Sequence, residues 1–332
     1  MGNGMRSMII GGAGFIGANL ASRLASQQDE VTVLDLPLAL DAVANPRDQS
    51  QIRRCHLLSQ AQPIVGDVRD KGALTASIDA MRPRTIYYLA ALPIVSLAEK
   101  QFAAAGDSMI RGLANALEAA RAIPSISRFV YVSSSMVYGN FRLDPVPERV
   151  IAEPVNLYGG LKLAGEHLVK AYLGSTEVEH VVVRPSGVYG PGDPHGRVVQ
   201  KFCTAALEGS EIRATNGADT FIDFTWVGDL VEGLARAGSL PDGAGETFNL
   251  TRGRARSLDE LISVVSELGP GPTVVRNQQG DTLRPRRGTL DISKAKRLLG
   301  YNPQVDLEAG VARYARHLTK GRPAGAREHA VA

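Results

Sequence analysis

The chain has 332 residues, 44% of them hydrophobic and 21% charged, which is typical of a globular protein with a substantial buried core. Its net charge of +3, without a long run of Lys and Arg, argues against a nucleic-acid-binding protein. No apolar run reaches the roughly 18 residues of a membrane span, and the apolar N-terminal segment is too short for a signal peptide. The two cysteines, Cys55 and Cys203, are expected to be reduced thiols of a cytoplasmic enzyme. The histidines show no metal-ligand spacing, so no metal is expected.

Short apolar runs alternate with amphipathic helical patterns along the first half of the chain. Apolar residues at helical spacing follow the first run, and a further amphipathic helix is predicted over 110–122. Strands that alternate with helices in this way indicate βαβ units. We therefore predict an α/β fold with a Rossmann-like, doubly wound parallel sheet. The predicted strands occupy residues 7–12, 30–36, 62–68, 84–92, 127–134 and 178–190.

The composition changes near residue 191, where a loop rich in Gly and Pro begins and shorter, mixed elements follow. Among these elements, Ser257 and Glu260 form a capping-box pattern, which predicts the start of a helix. The last residues lack apolar periodicity, so a disordered tail is predicted. The predicted units are a nucleotide-binding domain over 1–183 to which 221–250 returns, a smaller, mixed C-terminal substrate domain over 184–220 and 251–320, and a tail over 321–332.

The sequence IIGGAGFIGANL joins the first predicted strand to the first predicted helix. Its glycines satisfy a dinucleotide-binding pattern in the strand–turn–helix context that this pattern requires. One glycine permits the tight turn, the next lets a pyrophosphate approach the backbone, and the last lets helix and strand pack closely. Free N–H groups at the start of the helix then bind phosphate. The expected cofactor contacts in this turn are Gly11, Gly14, Phe15, Ile16 and Gly17.

Acidic residues end the second predicted strand and follow the third. A carboxylate at Asp35 can hydrogen-bond the adenosine ribose hydroxyls and repel a 2′-phosphate, which favours NAD over NADP. An Asp in this position can also cap a loop without any ligand. Asp67 lies in GDVRD, after the third strand, and is expected to reach the adenine.

Tyr158 and Lys162 lie four residues apart in the sequence NLYGGLK. Any helix places residues at this spacing on one face, so the pair alone does not distinguish a catalytic pair from an ordinary helix surface. Its position after a predicted nucleotide-binding half favours the catalytic interpretation.

These motifs together resemble the extended short-chain dehydrogenase/reductases, the NAD-dependent epimerase/dehydratase family that includes the nucleotide-sugar epimerases. They run in the order typical of that family, and their combination is specific although no single motif is. The segments that carry the resemblance are the glycine turn at 11–17, VLDL at 33–36, GDVRD at 66–70, YLAA at 88–91, SSSMVYG at 133–139, YGGLK at 158–162, RPSGVYGPGD at 184–193, FTWVGDL at 224–230 and DISKAKRLLGYNP at 291–303.

The resemblance implies roles for the matching residues. Tyr158 would be the acid/base that exchanges a proton with a substrate hydroxyl. A free phenol has a pKa of about 10, so the ammonium of Lys162 should favour the phenolate. Lys162 would also hold the nicotinamide ribose, and Ser134 would hydrogen-bond the reacting oxygen. Further implied contacts are Val68, Leu89, Ala90 and Ala91 for the cofactor, and Ser134, Ser135, Gly187, Arg284 and Arg287 for the substrate.

The chain departs from the family pattern at several positions. Dehydratases of the family usually carry an Asp-Glu pair where this chain has Ser135 and Met136, which argues against a 4,6-dehydratase. Gly187 stands in place of an Asn, and Ile222 in place of an Arg, that usually help to hold the diphosphate.

Further departures lie in the helices. Met109 replaces an Asn of the central helix, and Asn156 with Leu157 replaces the usual Ser/Thr-Pro before Tyr158. Arg284 and Arg287 could recover the anion binding lost at Ile222, although charged runs usually face water.

The sequence favours an NAD-dependent nucleotide-sugar epimerase that oxidises a ring hydroxyl to a ketone and returns the hydride to the other face. The alternative is an NAD(P)-dependent dehydrogenase or reductase, similar to 3β-hydroxysteroid dehydrogenases or sugar reductases. A cofactor-binding regulator without turnover is the third possibility, but such relatives generally lose the Tyr/Lys pair. The expected partner is a nucleotide-diphosphate sugar or another small hydroxy compound. The resemblance also implies a homodimer formed through the bundle that contains the Tyr/Lys helix.

Overall fold

The computed structural model describes residues 4–215, 220–277 and 283–319, so the predicted tail lies outside the described residues. A π-helical turn spans Asp107–Arg111, and 3₁₀ turns span Ser135–Tyr138 and Pro241–Gly243. The strands are β1 Arg6–Ile10, β2 Glu30–Asp35, β3 Gln62–Val65, β4 Thr85–Tyr88, β5 Arg128–Val132, β6 Glu179–Pro185, β7 Val188–Tyr189, β8 Glu211–Thr215, β9 Phe221–Ile222, β10 Thr225–Trp226, β11 Thr247–Leu250, β12 Arg256–Ser257 and β13 Thr273–Asn277. The helices are α1 Phe15–Ala25, α2 Pro37–Ala44, α3 Gln49–Leu57, α4 Lys71–Met81, α5 Val95–Lys100, α6 Phe102–Gly106, α7 Gly112–Ala122, α8 Leu157–Leu173, α9 Val198–Glu208, α10 Val227–Ser239, α11 Leu258–Ser266, α12 Ser293–Leu299 and α13 Leu307–Thr319.

The central sheet confirms the predicted α/β fold. Its seven strands pair in parallel, in the order β11-β6-β5-β4-β1-β2-β3. The chain moves outward from β1 to β3 and then crosses back to β4 on the other side of β1. At such a switch point the carboxyl ends of the strands diverge and leave a crevice, where ligands of open α/β sheets bind.

The sheet has apolar cores on both faces, as parallel sheets require. β4 and β5 are buried along their whole length. One core joins the sheet to α1 and α10, and the other joins it to α4, α7 and α8.

The predicted strand over 178–190 is wrong in one respect, because it forms two strands. β6 ends at Pro185 and continues the central sheet, whereas β7 begins at Val188 and pairs with β10. Gly187, between them, has a φ of 52°. This left-handed conformation, which favours glycine, turns the chain out of the central sheet.

The remaining elements form a smaller unit around a core of their own. Residues of α9, α11 and α13 pack together there with β8. The predicted capping box is confirmed, since the Ser257 hydroxyl accepts from the Glu260 N–H and the Glu260 carboxylate accepts from the Ser257 N–H. The predicted domain bounds stay a prediction, although β11 returns to the central sheet.

Within the described ranges, no helix has both the length and the apolar character that a bilayer span requires. The same ranges contain no group of three or more His, Cys, Asp or Glu side chains that could hold a metal ion. Both cysteines are free, and burial raises the pKa of the Cys203 thiol to about 12.

Asp223 connects three distant segments of the smaller unit. Its side chain is fully buried, and Oδ2 accepts from the Thr251 hydroxyl at 2.9 Å and from the Leu290 N–H at 3.2 Å. Oδ1 accepts from the Gly253 N–H at 3.1 Å. Burial nevertheless raises the pKa of this carboxyl to about 6.

We expect the charge of Asp223 to lower stability as pH rises. Its folded pKa lies above the unfolded value, so the carboxyl stabilises the fold when protonated and loses that contribution as pH rises through about 6. Relative to wild type, Asp223→Asn should therefore gain about 2–3 kcal/mol in unfolding free energy between about pH 4 and pH 7. Urea unfolding at both pH values measures this gain, with the exposed Asp242→Asn as the control substitution. A constant difference would mean that the hydrogen-bond donors cancel the effect of burial.

Candidate active site

The glycine turn follows β1 and opens α1. Gly14 is the N-cap residue of α1 and supplies no side-chain cap, so side chains leave the first N–H groups of the helix unused. A Cβ at Gly17 would lie 2.6 Å from the Gly12 Cα, which measures how closely the helix approaches the turn. A Cβ at Gly14 would meet the Gly11 carbonyl oxygen at 3.4 Å and nothing closer, so the turn is open on that side. This shape fits a pyrophosphate above the helix that begins at Phe15.

Asp35 lies at the end of β2 with its carboxylate against the glycine turn. Oδ2 accepts from the Ala13 N–H at 2.9 Å, and Oδ1 accepts from the Leu36 N–H at 2.8 Å. Burial raises the pKa of Asp35 against these two hydrogen bonds and the charge of Arg54. The side chain therefore lies where a ribose contact is predicted, and its binding role stays a prediction.

The other predicted cofactor contacts follow β3 and β4. The Asp67 carboxylate accepts a forked pair of hydrogen bonds from Arg69, which lowers its pKa. Val68 is buried behind it. The segment Leu89–Ala91 runs beside the end of β1, since its first N–H donates to the Ile10 carbonyl at 2.8 Å. The Asp67 carboxylate is thus hydrogen-bonded to Arg69, a residue that the sequence did not assign to the site.

The three predicted catalytic side chains lie close together. Tyr158 and Lys162 are in the first two turns of α8, and Ser134 follows β5 as the N-cap of a 3₁₀ turn. The Lys162 Nζ lies 5.9 Å from the centre of the Tyr158 ring. Ser134 lies near enough to the Tyr158 phenol to lower its pKa. The assigned roles stay predictions, but the arrangement is one that acid/base catalysis needs.

Lys162 is held in a buried position at the back of the site. Its side chain is 3% exposed, and Nζ donates to the Val132 carbonyl at 2.7 Å. The same Nζ lies 5.2 Å from the centre of the Tyr131 ring. Burial lowers the pKa of Lys162 to about 7, while the charge of Glu166 opposes this shift.

Tyr158 lies against an apolar cluster that includes Ala98, Ala105 and Met109. Burial raises the pKa of the phenol, and the positive charge of Arg197 and hydrogen bonding to Ser134 oppose that shift. The sequence had assigned this electrostatic role to Lys162.

Arg197 enters the site from the loop that precedes α9. Its Nη1 donates to the Asp193 carboxylate at 3.0 Å, and its guanidinium lies 6.0 Å from the centre of the Phe15 ring. It therefore connects the glycine turn with the surroundings of Tyr158. The sequence offered one signal for this ion pair, namely the i, i+4 spacing of Asp193 and Arg197 before a helix. The approach of Arg197 to Tyr158 depends on the fold and could not be predicted. His195, within this loop, donates its N–H to Asp193 at 3.1 Å.

A buried polar network lies beneath the catalytic side chains. The Ser133 hydroxyl donates to Glu166 Oε1 at 2.6 Å. Arg184 donates from Nε to the same oxygen at 2.9 Å and from Nη2 to Oε2 at 2.6 Å. The Arg184 Cζ also lies 4.8 Å from the centre of the Tyr138 ring. Ser135, a predicted substrate contact, is 2% exposed beside this network.

The start of α8 shows what replaces the Ser/Thr-Pro of the family. Asn156 caps the helix, since Oδ1 accepts from the Gly159 N–H at 2.8 Å. Leu157 has a backbone N–H that proline would lack, and this group donates to Glu99 Oε1 at 2.7 Å. The extra donor is therefore satisfied by a carboxylate from α5.

Gly187 and Ile222, two departures from the family pattern, are neighbours in space. A Cβ at Gly187 would lie 2.6 Å from the Asp223 carbonyl oxygen and 2.6 Å from the Ile222 Cγ2. Ile222 is itself 5% exposed. Its family usually has polar groups at this place. In this chain, backbone atoms and an apolar side chain fill it.

Arg284 and Arg287 lie near one another in the segment after residue 282. Burial lowers the pKa of Arg287 to about 10, and the charge of Arg284 adds to this shift. The Arg287 Nε is buried without a hydrogen-bond partner among residues 4–215, 220–277 and 283–319. A guanidinium with a buried Nε beside a second cation is a site that an anion would stabilise.

Comparison with known proteins agrees with this arrangement. A family model described as GDP-mannose 4,6 dehydratase matches residues 8–314. The UDP-glucose 4-epimerase of Mycolicibacterium smegmatis is 30% identical over 315 residues, which cover 93% of this chain and 97% of that protein. Among solved structures, the UDP-glucuronic acid 4-epimerase of Bacillus cereus, in complex with UDP-glucuronic acid and NAD, is similar with a TM-score of 0.83 and 26% identity, covering 95% of this chain and 99% of that one. The Thermotoga maritima UDP-glucose 4-epimerase with UDP-glucose has the same TM-score, 0.83, with 26% identity and the same coverages of 95% and 99%.

We expect Gly187→Ala to destabilise the protein far more than Gly245→Ala does. Both glycines have a positive φ, 52° and 75°, but no atom lies within 4 Å of a Cβ built at Gly245. Gly245→Ala should therefore cost about 1–2 kcal/mol, from backbone strain alone. Gly187→Ala adds a clash with backbone, so we expect about 3 kcal/mol or more. Denaturant unfolding of both variants measures the difference, and equal losses would disprove the close contact with Asp223.

Proposed function

The chain belongs to the NAD-dependent epimerase/dehydratase family of extended short-chain dehydrogenase/reductases, and we propose that it is an NAD-dependent nucleotide-sugar epimerase. The proteins to which it is similar include UDP-glucose and UDP-glucuronic acid 4-epimerases over almost their whole length. The observation that carries the proposal is the meeting of Tyr158, Lys162 and Ser134 at the same end of the sheet as the glycine turn.

The side chains after Ser134 favour epimerisation over dehydration. Elimination of water from a sugar needs an acid and a base besides the residue that handles the hydroxyl proton. At these positions the chain has Ser135, which is buried, and Met136, which has no titratable group. Epimerisation needs proton exchange at one oxygen, which a single tyrosine can provide.

The glycine turn and Asp35 fit a dinucleotide. The open side of the turn at Gly14 leaves room for a pyrophosphate, and the carboxylate beside it can accept from ribose hydroxyls. A negative charge at Asp35 would repel the 2′-phosphate of NADP, so NAD is the proposed cofactor. When bound, NAD supplies the hydride acceptor and donor for the reaction.

The chain's own residues would move the proton. Tyr158 would take it from the substrate hydroxyl as that carbon is oxidised, and return it when the ketone is reduced. Ser134, which lies beside the phenol, would hold the same substrate oxygen. Lys162, fixed by the Val132 carbonyl, would bind the nicotinamide ribose with its remaining N–H groups. Arg197 would favour the phenolate by its positive charge.

The diphosphate of the substrate would bind Arg284 and Arg287. No described residue accepts from the buried Nε of Arg287, and a phosphate oxygen would satisfy it. Gly187 and Ser135 could then contact the substrate through backbone and hydroxyl groups. The family usually has a phosphate-binding arginine at the position of Ile222. In this arrangement Arg284 and Arg287 would bind the diphosphate instead.

A net dehydrogenase or reductase would use the same catalytic side chains, and no observation at the site favours it over an epimerase. The relatives and solved structures compared above are sugar-nucleotide epimerases, which supports epimerisation. The homodimer and the cytoplasmic location stay predictions. Leu168, an exposed apolar residue of α8, lies on the helix through which the dimer is predicted.

A combined binding and turnover assay tests the proposed function. We expect the purified enzyme to contain NAD and to convert UDP-glucose or UDP-glucuronic acid to its 4-epimer, with no net rise in reduced-nicotinamide absorbance. UDP-sugars should also raise the melting temperature, because they bind the native state. A steady rise in absorbance would instead identify a dehydrogenase. If neither sugar nor UDP or dTDP changes the melting temperature, the proposal fails.

Tyr158→Phe should abolish turnover, by roughly a thousandfold or more, while NAD content stays near that of the wild type. Tyr131→Phe is the matched control, because Tyr131 also lies beside Lys162 but its hydroxyl is directed to the Lys162 carbonyl. We expect this control to retain activity within a few fold. Epimerisation rates and the NAD released on denaturation measure both effects. Activity that survives in Tyr158→Phe would exclude Tyr158 as the acid/base.

A further inference from the structure

The segment that carries the two arginines is attached to the start of the catalytic helix by one side chain. We propose that Asn156 is a positioning residue that fixes segment 283–287 relative to Tyr158 and so sets the affinity for the diphosphate of the substrate. This inference rests on the proposed function, in which Arg284 and Arg287 bind that diphosphate.

Asn156 uses both ends of its amide. Oδ1 caps α8 by accepting from the Gly159 N–H at 2.8 Å. Nδ2 donates to the Leu283 carbonyl, also at 2.8 Å. The residue is 8% exposed, so water competes little for either bond. One planar group therefore connects the first turn of the helix, which contains Tyr158, to the residue immediately before Arg284.

A second attachment holds the other end of the segment. Asn140 Oδ1 accepts from the Arg286 N–H at 2.8 Å, and the Phe141 N–H donates to the Arg286 carbonyl at 2.8 Å. Asn140 and Phe141 follow the 3₁₀ turn that Ser134 caps. The segment is thus bound at one end to α8 and at the other to the chain after Ser134, with Arg284 between the two attachments.

An amide suits this position for a stereochemical reason. Ser, Thr and Asp can all cap a helix, because each has an oxygen that accepts from the first turn. None of them has a second, donating group that reaches a carbonyl on the opposite side, whereas Asn carries an acceptor and two donors on one rigid plane. Asn156 can therefore do what the usual cap residues cannot, namely hold α8 and the Leu283 carbonyl at a fixed separation.

The consequence concerns the distance between two parts of one substrate. The diphosphate must reach the arginines while a sugar carbon lies at the Tyr158 hydroxyl, and a mismatch would weaken binding. With the Leu283 attachment lost, part of the binding free energy would be spent on ordering the segment. Once the substrate is bound, the Tyr158, Ser134 and Lys162 geometry would be unchanged.

Replacement of Asn156 by Ser separates the two functions of the side chain. Asn156→Ser keeps a capping oxygen and loses the donor to Leu283. We expect a five- to tenfold rise in the dissociation constant for UDP and in the KM for UDP-glucose, with kcat within about twofold and NAD content unchanged. Peptides covering 283–290 should exchange amide hydrogens faster in the ligand-free variant. Asn156→Ala, which also loses the cap, should show the same loss of UDP affinity plus a lower melting temperature.

Two control variants separate attachment from general damage. Asp70 caps α4 by accepting from the Ala73 N–H at 3.0 Å, so Asp70→Ala removes a helix cap without touching the arginine segment. It should lower the melting temperature and leave UDP affinity unchanged. Arg287→Ala should weaken UDP binding at least as much as Asn156→Ser, without altering hydrogen exchange in α8.

The outcomes distinguish this inference from the proposed function. If wild type neither binds UDP nor turns over a UDP-sugar, the proposed function fails and the inference fails with it. If wild type does both, and Asn156→Ser has wild-type KM, UDP affinity and hydrogen exchange, the inference alone is overturned. A fall in kcat with no rise in KM would also overturn it, because the side chain would then act on the helix and not on the segment.

Discussion

The geometry of the site depends on the buried ion pair between Glu166 and Arg184. Glu166 is on α8 and Arg184 is on β6, and their side chains are 2% and 6% exposed. Removing either partner would leave an uncompensated buried charge, which typically costs about 3–5 kcal/mol. Because Ser133 donates to the same carboxylate, the pair also fixes the end of β5. Tyr158 reaches Ser134 because this network holds their two elements at one separation. The proton transfer by Tyr158 thus depends on the buried Glu166–Arg184 ion pair.

The half of the site that would bind substrate is built on a different principle. Where its family usually presents Asn and Arg, this chain packs Gly187 so closely against Ile222 and the Asp223 carbonyl that Gly187 could not carry a side chain without rearrangement. Positive charge lies instead on a segment whose position is determined by hydrogen bonds to other parts of the chain. Anion binding there is therefore separable from the apolar contact.

Local patterns in the sequence were enough for the nucleotide-binding half. The glycine turn, the apolar strands and the Ser257 capping box each depend on neighbouring residues, so the pattern predicts the structure. The break at Gly187 was missed, because an apolar run continues through it and only the pairing of β7 with β10 reveals the turn. Arg197 and Asn156 were missed for a related reason. Their partners lie far away in sequence, and neither residue type signals in advance which distant group it will meet.

The two titrating side chains of the site show why such distant contacts matter for chemistry. Burial moves the pKa of Tyr158 up and the pKa of Lys162 down, and both shifts disfavour the charged form. Burial alone would therefore keep the proton on the phenol, which suits a group that protonates the ketone oxygen during reduction but not one that accepts a proton from an alcohol. An epimerase needs one residue to do both in turn. The charges that oppose burial, Arg197 at the tyrosine and Glu166 at the lysine, bring the two forms of each group closer in free energy. The residues that hold those charges in place, Asp193 for Arg197 and Arg184 for Glu166, thus belong to the acid/base system although neither is assigned a contact with the substrate.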